Sequence, residues 1–309
     1  MLFRQLEYFV AVAEERHFGR AATRCHVSQP ALSASIAKLE RELDVTLIER
    51  GHKFVGLTAE GERLLTWAQR IVADHASLQA DIRAMRTSIT GTLRVGTIPT
   101  AATTSSLVLS AFLANNPMAK VRTRSQLSTT ELYQMLRNFE LDAAILPVVP
   151  EETHGVALTQ LYEENYVVIA PADQVPFGTT TLSWAGAAQL PLALLTPDMR
   201  IRQVIDTTFA SLGTTVNPQV ETDSVSTLLA QAASGDRACI VPHTWLWTTL
   251  MNADLVAAEL VDPVLKTPIA VAIDATGRAS ILAHAFAASA KQLSLDEFFA
   301  RRLGEYHLG

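Results

Sequence analysis

The sequence has 309 residues, of which 49% are apolar and 18% charged, and this suits two or three compact globular domains. The net charge of −6 argues against a chain that binds nucleic acid over its whole surface. No apolar stretch approaches the roughly 20 residues that a membrane span needs. The N-terminal segment mixes acids with bases and lacks a signal-peptide pattern, so we expect a cytoplasmic protein.

The charge is unevenly distributed along the chain. Residues 1–90 contain 12 Lys or Arg and 11 Asp or Glu, whereas residues 91–309 contain 13 and 20. Any contact with nucleic acid is therefore expected in the N-terminal third, where it would need a few well-placed cations.

The apolar spacing over residues 2–57 predicts three short helices followed by a hairpin. The apolar positions of the first two helices are Leu6, Phe9, Val10, Ala13, Ala21 and Ala22. After the third helix, the stretch ERGHKFVGLT has the aromatic, β-branched and glycine residues of a small hairpin. This order is the pattern of a winged helix-turn-helix.

The third predicted helix has two different faces. Ser28 is placed to cap its N-terminus, and Pro30 is tolerated in its first turn. The face that we expect to be buried carries Leu32, Ile36, Leu39 and Leu43. The opposite face carries Gln29, Ser33, Ala34 and Ala37. Such short, uncharged side chains allow close approach to the DNA major groove, and Gln and Ser can bond to base edges. A solvated helix face is the alternative, which the scarcity of charge there disfavours.

We therefore predict a DNA interface at the N-terminus of the third helix and in the hairpin. Arg50 and Lys53 flank and occupy the hairpin, where they would hold the DNA backbone or enter the minor groove. The predicted interface residues are Ser28, Gln29, Pro30, Ser33, Ala34, Lys38, Arg50 and Lys53.

A long helix is predicted from Thr58 to Ile89, a stretch with no proline and with its only glycine, Gly61, in the first turn. Its apolar positions alternate at spacings of four and three: Leu64, Ala68, Ile71, His75, Leu78, Ile82, Met85 and Ile89. This heptad pattern indicates pairing with a second helix, and we predict a dimer. The alternative, a helix lying on its own domain, is disfavoured by the mostly polar residues between the seam positions.

From Gly91 onward, short β-rich runs alternate with helical stretches, which predicts an α/β domain with largely parallel sheets. About six strands would form one sheet or two similar lobes. The two cysteines, Cys25 and Cys239, fall in different predicted domains, so a structural disulfide is not expected. Buried, unreactive thiols are the simpler interpretation, and a redox-sensing pair is the alternative.

Three predicted strand-to-helix junctions are rich in hydroxyl groups. They are Thr97–Ser106, the capping box of Ser128 with Glu131, and the helix start near Ser224. Because ligands bind at the carboxyl ends of parallel strands, and helix N-termini favour anions, these junctions indicate a site for a small anion. Capping of each helix by its own hydroxyl is the alternative.

The segment FGRAATRCHVSQPALSASIAKLERELDVTLIER, with LTAEG after it, resembles the LysR-type transcriptional regulator family over residues 2–61. The matching positions are Ala21, Ala22, Ser28, Gln29, Pro30, Leu32, Ser33, Ile36, Leu39, Glu40, Leu43, Leu47, Arg50 and Thr58. Asp44 and Ile48 depart from the family's usual Gly and Phe. Ala34 stands where an Arg often reaches DNA, and Gly56 makes the hairpin less basic. These departures bear on the operator sequence and on the strength of the hairpin contacts.

The resemblance implies a layout for the whole chain: a winged helix-turn-helix at 1–58, a linker helix at 59–90 that pairs protomers, and an effector-binding domain at 91–309. That domain would resemble the periplasmic binding proteins, with one lobe at 91–162 and 268–300 and a second at 163–267. A dimer of dimers is expected, in which the effector changes the angle between lobes or dimers and so the bend of the bound DNA.

The resemblance also implies an effector in the cleft between the lobes, and a small carboxylate is expected. The positions carried over are Thr97, Thr100, Ser128, Thr129, Pro147, Thr196, Met199 and Ser224. The stretch LLTPDMRIRQVID resembles regulators found beside formate dehydrogenase genes, which would make the effector formate or a similar anion.

Two other classes of protein compete with a regulator. An α/β enzyme is disfavoured because the sequence has no G-x-S-x-G elbow, no phosphate-binding glycine loop and no metal-ligand spacing among its eight His. Ser35–Lys38 reads S-x-x-K, but it lies within the predicted DNA-binding helix. A solute-binding protein would lack the N-terminal 90 residues and would carry an export signal. We predict no catalytic residue, metal or cofactor.

Overall fold

The computed structural model describes residues 1–50, 54–84, 89–176, 178–248 and 254–308. Within these ranges, no helix is both long enough and apolar enough to cross a membrane. The chain folds as two compact units: an N-terminal unit that ends with the fourth helix, and a C-terminal unit that begins with the third strand. Each unit is described by itself.

The N-terminal unit has the predicted order of short helices, hairpin and long helix. Its elements are α1 (Phe3–Glu15), α2 (Phe18–Arg24), α3 (Gln29–Leu43), β1 (Ile48–Arg50), β2 (Phe54–Leu57) and α4 (Ala59–Ala84). Strands β1 and β2 pair in antiparallel register.

The core of this unit lies between α1, α2 and α3. Phe9 of α1 and Ile36 of α3 are fully buried there, and Ala21 of α2 adds a small side chain that lets the helices approach closely. The prediction that Leu43 is buried is wrong, because its side chain is 37% exposed. Leu43 is the last residue of α3, and Asp44 turns the chain away in the left-handed conformation, with φ of 52°.

The long helix α4 is described from Ala59 to Ala84. Residues 85–88, with the predicted seam position Met85, lie outside the described residues, and the last predicted seam position, Ile89, is not helical. Part of its predicted seam packs within its own unit. Ala68 is fully buried in the N-terminal core, and the ring of His75 lies 4.1 Å from that of Phe3 in α1.

The hairpin is fixed to α3 and α4 by two polar side chains. The Glu40 carboxylate of α3 accepts hydrogen bonds from the backbone N–H groups of Leu47 (2.9 Å) and Ile48 (3.3 Å). The Thr58 hydroxyl donates to the carbonyl of Thr46 and accepts from the N–H of Gly61 in the first turn of α4. A Cβ at Gly61 would lie 2.1 Å from the carbonyl oxygen of Leu47, so only glycine fits this contact.

The C-terminal unit alternates strands and helices around two sheets. Its elements are β3 (Gly91–Thr97), α5 (Ser105–Asn115), β4 (Ala119–Arg124), α6 (Thr129–Arg137), β5 (Ala143–Pro147), β6 (Val156–Glu164), β7 (Tyr166–Pro171), β8 (Thr181–Ser183), α7 (Trp184–Ala187), β9 (Leu192–Leu195), α8 (Arg200–Ser211), β10 (Val220–Thr222), α9 (Val225–Ala233), β11 (Ala238–Pro242), β12 (Leu255–Val261), β13 (Thr267–Asp274), α10 (Ile281–Lys291) and α11 (Leu295–Leu308).

The two sheets define two lobes. The sheet of lobe I has the strand order β4-β3-β5-β13-β6, and that of lobe II has the order β10-β9-β11-β7-β12-β8. The prediction of largely parallel sheets is confirmed for all but one strand in each sheet: β13 runs antiparallel to β5 and β6, and β7 runs antiparallel to β11 and β12. Strands β7 and β13 each follow a crossover between lobes, so each enters its sheet against the direction of its neighbours.

The chain crosses between the lobes twice, and the two crossovers lie side by side. Glu164 ends β6 in lobe I, and Tyr166 begins β7 in lobe II. The return crossover leads from β12 to Thr267, the first residue of β13, which pairs in register with Glu164. The hydroxyl groups of Tyr166 and Thr267 are 2.7 Å apart and share a hydrogen bond.

Candidate functional site

The exposed N-terminus of α3 forms the first candidate site. The Ser28 hydroxyl accepts a hydrogen bond of 3.4 Å from the N–H of Ala31 and so caps the helix. Gln29 and Pro30 occupy the first turn, and both are exposed. The helix therefore begins on the surface with an exposed amide side chain beside its cap.

One face of α3 is buried and the other is open. Leu32, Ile36 and Leu39 are fully buried, whereas Ser33 is half-buried and Ala34 is exposed. The predicted candidate side chains of α3 thus lie on the side that faces away from the core. The open face carries short, uncharged side chains over its first two turns. Such side chains allow the helix to come close to the base edges in a DNA groove.

The cations of the predicted interface are few. Lys38 is exposed on α3, and its Nζ lies 4.0 Å from a Glu42 carboxylate oxygen, a distance at which an exposed ion pair contributes little. Arg50 lies at the end of β1 with its side chain outside the described residues, and Lys53 lies outside them altogether. Placement of the hairpin rests on the contacts of Glu40 and Thr58, whose roles the sequence analysis did not assign.

The second candidate site is a cavity between the two lobes of the C-terminal unit. About 410 Å³ of space there is free of protein atoms, a figure that includes open solvent at its mouth. Five of the predicted effector residues line it: Thr100, Ser128, Thr129, Pro147 and Met199. Most of the remaining wall is apolar, and its members include Ile98, Leu127, Leu195, Ile201 and Val204.

The other three predicted effector residues are not among the lining residues. Thr97 is fully buried in β3. The backbone N–H of Thr196 bonds to the carbonyl of Thr222. The Ser224 hydroxyl accepts from the N–H of Thr227 and caps α9, which agrees with the alternative that this hydroxyl serves only its own helix.

Some polar groups of the residues that line the cavity have hydrogen-bond partners and others do not. Ser128 and Glu131 form the predicted capping box at the start of α6. By contrast, the Oγ1 of Thr129 and the Oε1 of Glu164 are buried without a hydrogen-bond partner among the described residues. Both residues are among those that line the cavity.

Glu164 was not predicted as a site residue, although it is the most unusual one. Its side chain is 2% exposed, and burial raises its pKa to about 8. At neutral pH it is therefore mostly an uncharged carboxylic acid. The sequence does contain a signal, the pair Glu163–Glu164. Two consecutive residues of a strand point to opposite faces of the sheet, so in a strand with one covered face one of these carboxylates is buried.

A second crevice lies on the other face of the same crossover. Glu163 forms an ion pair of 2.8 Å with Lys266, and its backbone N–H donates to the Asp296 carboxylate. His243 lines this crevice and exchanges hydrogen bonds with the backbone of Asn165. Burial lowers the pKa of His243, so it is neutral at physiological pH.

A buried hydrogen bond joins the lobes beside the cavity. Trp245 belongs to a short 3₁₀ turn, His243–Trp247, that follows β11 of lobe II. Its indole N–H donates to the backbone carbonyl of Thr100 in lobe I over 2.7 Å. The loop that carries Thr100 is thereby held in place in the cavity wall.

The described residues offer no group of three or more His, Cys, Asp or Glu that could hold a metal ion. Cys239 is fully buried in β11, and burial raises the pKa of its thiol to about 12. Cys25 is half-buried rather than buried as predicted, because it lies beyond the end of α2, and burial also raises its pKa.

Comparison with known protein families assigns both units. Residues 3–62 match the bacterial regulatory helix-turn-helix protein, lysR family, and residues 86–294 match the LysR substrate binding domain. The second match alone covers more than half of the chain.

Individual relatives cover most of the chain. A protein of Streptomyces viridosporus named "Probable hydrogen peroxide-inducible genes activator" is 31% identical over 87% of this chain and 86% of its own length. XapR of Escherichia coli, a helix-turn-helix transcriptional regulator, is 34% identical over 54% of this chain and 57% of its own. Neither name supports the narrower resemblance to regulators found beside formate dehydrogenase genes.

Solved structures agree along almost the full length. A full-length OxyR variant from Pseudomonas aeruginosa is 27% identical, with a TM-score of 0.78 over 96% of this chain and 97% of that one. Full-length CbnR complexed with its target DNA is 25% identical, with a TM-score of 0.69 over 94% and 99% of the two chains.

Proposed function

This chain belongs to the LysR family of transcriptional regulators, with a DNA-binding helix-turn-helix and an effector-binding domain, and from that membership we propose how it binds its DNA and its effector. We propose that Gln29 and Ser33 contact base edges in the major groove. The observation that carries this proposal is the open, uncharged face of α3, opposite the buried Leu32, Ile36 and Leu39. Ser28, Pro30, Ala34, Lys38, Arg50 and Lys53 complete the proposed interface.

The domain limits follow the change in pattern along the sequence. We propose a winged helix-turn-helix at 1–58, a linker segment at 59–90 and an effector-binding domain at 91–309. Within the last, we move the predicted lobe limits to the ends of β6 and β13, so that lobe I takes 91–164 with 267–300 and lobe II takes 165–266. The helical part of the linker is α4, which is described as far as Ala84.

Pairing of two copies through α4 is supported by a stripe of exposed apolar side chains. Trp67, Ile71 and Leu78 are 60%, 38% and 57% exposed, and spacings of four and seven residues put them on one face of the helix. Because Ala68 and His75 are occupied by contacts to their own unit, we replace the predicted seam with this stripe. We propose that a dimer forms here, and that two dimers join through their effector-binding domains.

The proposed effector is a small organic acid in the cavity between the lobes. The start of α6, with Ser128 and Thr129, supplies a helix N-terminus, and Arg200 of α8 adds a cation to the wall. Since most of the wall is apolar, a carboxylate with a hydrocarbon part fits it better than formate does.

Several relatives carry a name that refers to hydrogen peroxide, and we propose that this chain does not sense peroxide through a disulfide. A reactive thiol needs exposure and a lowered pKa. Cys239 is fully buried with a pKa of about 12, and the pKa of Cys25 is also raised. Neither thiol has the properties of a peroxide-reactive cysteine.

The experiment that tests DNA reading begins with fragments of the organism's own genome selected by the full-length chain. Retardation of the selected fragment is then measured for Gln29→Ala plus Ser33→Ala. We expect the double variant to lose at least about tenfold in affinity, since each lost base contact costs roughly 1–3 kcal/mol.

The control changes the same residue types on the exposed surface of the other unit, Gln189→Ala plus Ser106→Ala, and should bind as the wild type does. Unchanged binding by the α3 variant would refute this recognition face. Failure of the wild type to select any fragment would contradict the proposed reading of DNA by α3.

A further inference from the structure

Glu164 is the one acidic side chain among the described residues that line the cavity between the lobes. It sits at the crossover from β6 to β7, where both lobes meet, and its Oε1 has no hydrogen-bond partner among the described residues. A buried polar atom without a partner costs free energy unless a ligand or water satisfies it. This group therefore limits which molecules the cavity can accept.

Resting on the effector site proposed above, we propose that Glu164 selects the effector by meeting it as an uncharged carboxylic acid, whose O–H is donated to a carboxylate oxygen of the effector. An ionised Glu164 would place two negative charges in contact inside an apolar cavity, which excludes the anion. The effector therefore binds when Glu164 holds its proton, and the effector and Glu164 together carry a single negative charge.

The surroundings keep Glu164 protonated. Tyr162 on the same strand and Tyr166 on β7 are buried phenols, whose own pKa values burial raises, so neither is charged. No cation is bonded to the carboxyl group in the described part of the chain. Burial alone raises the pKa of Glu164 to about 8.

The charges that surround this crossover lie on separate surfaces. From α8, Arg200 lines the cavity wall and attracts an anionic effector. Glu163, Lys266, His243 and Asp296 line the crevice on the other face of the crossover, and Glu163 pairs there with Lys266. Ionisation of Glu164 would therefore add the one negative charge among the described residues of the cavity wall.

The alternative occupant is an ammonium ion, which would pair with an ionised Glu164. The two occupants predict opposite pH dependence. A carboxylate needs the protonated acid and binds more weakly as the pH rises past about 8, whereas an amine needs the ionised acid and binds more tightly.

The test uses the full-length chain and two sets of probes with matched skeletons: butanoate, butanamide and butylamine, and benzoate, benzamide and benzylamine. Binding is measured by ligand-observed NMR at pH 6.5 and pH 9.0. We expect carboxylates to bind at pH 6.5 and to lose roughly tenfold in affinity at pH 9.0, where most Glu164 is ionised.

Three variants at Glu163 and Glu164 distinguish the titration of Glu164 from that of other groups. Glu164→Gln keeps the shape and an N–H donor but has no proton to lose, so its carboxylate affinity should change less than about twofold between the two pH values. Glu163→Gln removes the same charge one residue away, outside the cavity, and should keep the wild-type loss. Glu164→Leu, which has no donor, should bind carboxylates weakly at both pH values.

Three results would overturn the proposal: amines binding more tightly than carboxylates, no carboxylate binding at either pH, or a wild-type pH dependence in Glu164→Gln. Retardation of genomic DNA by the same protein, without probes, is measured in parallel. Loss of DNA binding by the wild type would contradict the proposed regulator, whereas an intact retardation with the wrong probe preference would contradict only this inference.

Discussion

The indole N–H of Trp245 in lobe II donates a hydrogen bond of 2.7 Å to the carbonyl of Thr100 in lobe I, in the wall of the cavity between the lobes. Trp247 lies two residues away in the same 3₁₀ turn, yet its indole N–H is buried without a partner among the described residues. The two tryptophans therefore form a natural pair for measuring what this bond contributes.

Trp245→Phe should lower the free energy of unfolding by about 1–3 kcal/mol, because it leaves the buried carbonyl of Thr100 without its donor. It should also weaken binding of any molecule that contacts the Thr100 loop. Trp247→Phe removes an indole N–H that has no hydrogen-bond partner among the described residues. It should therefore change the free energy of unfolding by less than about 1 kcal/mol. Urea unfolding of both variants checks this, and an equal loss in the two would mean that ring size, and not the bond, matters.

Gly61→Ala should destabilise the N-terminal unit by about 3 kcal/mol, because the added methyl group would press on the carbonyl of Leu47. The hairpin would shift from α4, so DNA affinity should fall as well. Gly56→Ala is the control, since its nearest neighbour would be 4.0 Å away and its φ needs no glycine. Thermal unfolding and DNA retardation measure both effects, and a stable Gly61→Ala would show that the contact at Leu47 relaxes easily.

Glu164→Gln should remove a loss of stability that the wild type undergoes as the pH rises. The native pKa of about 8 exceeds the ordinary value of 4.5, so the native state keeps a proton that the unfolded state releases. Stability of the wild type therefore falls between about pH 5 and pH 8, by up to about 1.4 kcal/mol per pH unit from this group.

Between about pH 5 and pH 8, the free energy of unfolding of Glu164→Gln should rise relative to that of the wild type as the pH increases. Urea unfolding at several pH values measures the difference. Glu163→Gln, which removes an exposed carboxylate, should show no such trend. A constant difference for Glu164→Gln would place the carboxyl in contact with solvent.

Ile71→Glu plus Leu78→Glu should weaken the proposed dimer by at least about tenfold, because two acids would face their copies across the α4 pair. Thr66→Glu plus Ala76→Glu adds the same charge to exposed positions away from the stripe and should leave the dimer intact. Analytical ultracentrifugation gives both dissociation constants. Equal effects would assign the dimer contact to another surface.

Cys239 should resist alkylation in the folded protein. With a pKa of about 12, only about one thiol in ten thousand is ionised at pH 8, and the side chain is fully buried. Iodoacetamide should therefore label Cys25 first, and Cys239 only after unfolding in guanidinium. Labelling is read by mass spectrometry of the peptides, and rapid native labelling of Cys239 would contradict the proposed lack of a thiol-based peroxide response.

The sequence predicted the elements whose apolar pattern is complete. The buried strands β5, β7 and β11 are continuous apolar runs, and both predicted capping positions, Ser28 and Ser128, cap their helices. The six β-rich runs that predicted strands were TLRVGTI, LDAAILPV, YVVIAP, LALLTP, ACIVP and PIAVAI. The strands that lie outside them, and were missed, are β4, β6, β8, β10 and β12. Four of these are sheet edges, where one side is solvated and polar residues interrupt the apolar pattern.

The site was predicted only where local chemistry marks it. Thr100, Ser128 and Thr129 carry hydroxyl groups near helix starts, and they do line the cavity. Glu164 was missed because the pair Glu163–Glu164 does not tell which of the two carboxylates is buried. Its burial depends on two crossovers 101 residues apart in sequence. The same limit explains α4, where spacing alone could not tell that Ala68 would be covered by α1.

The hydrogen bond between Tyr166 and Thr267 has a mechanical consequence. It ties the outgoing and returning crossovers to each other, so neither can twist by itself while the bond lasts. A rotation of lobe I against lobe II would therefore have to move both crossovers together or break this bond. The proposed effector, in contact with both lobes, would act on the two crossovers as on one hinge.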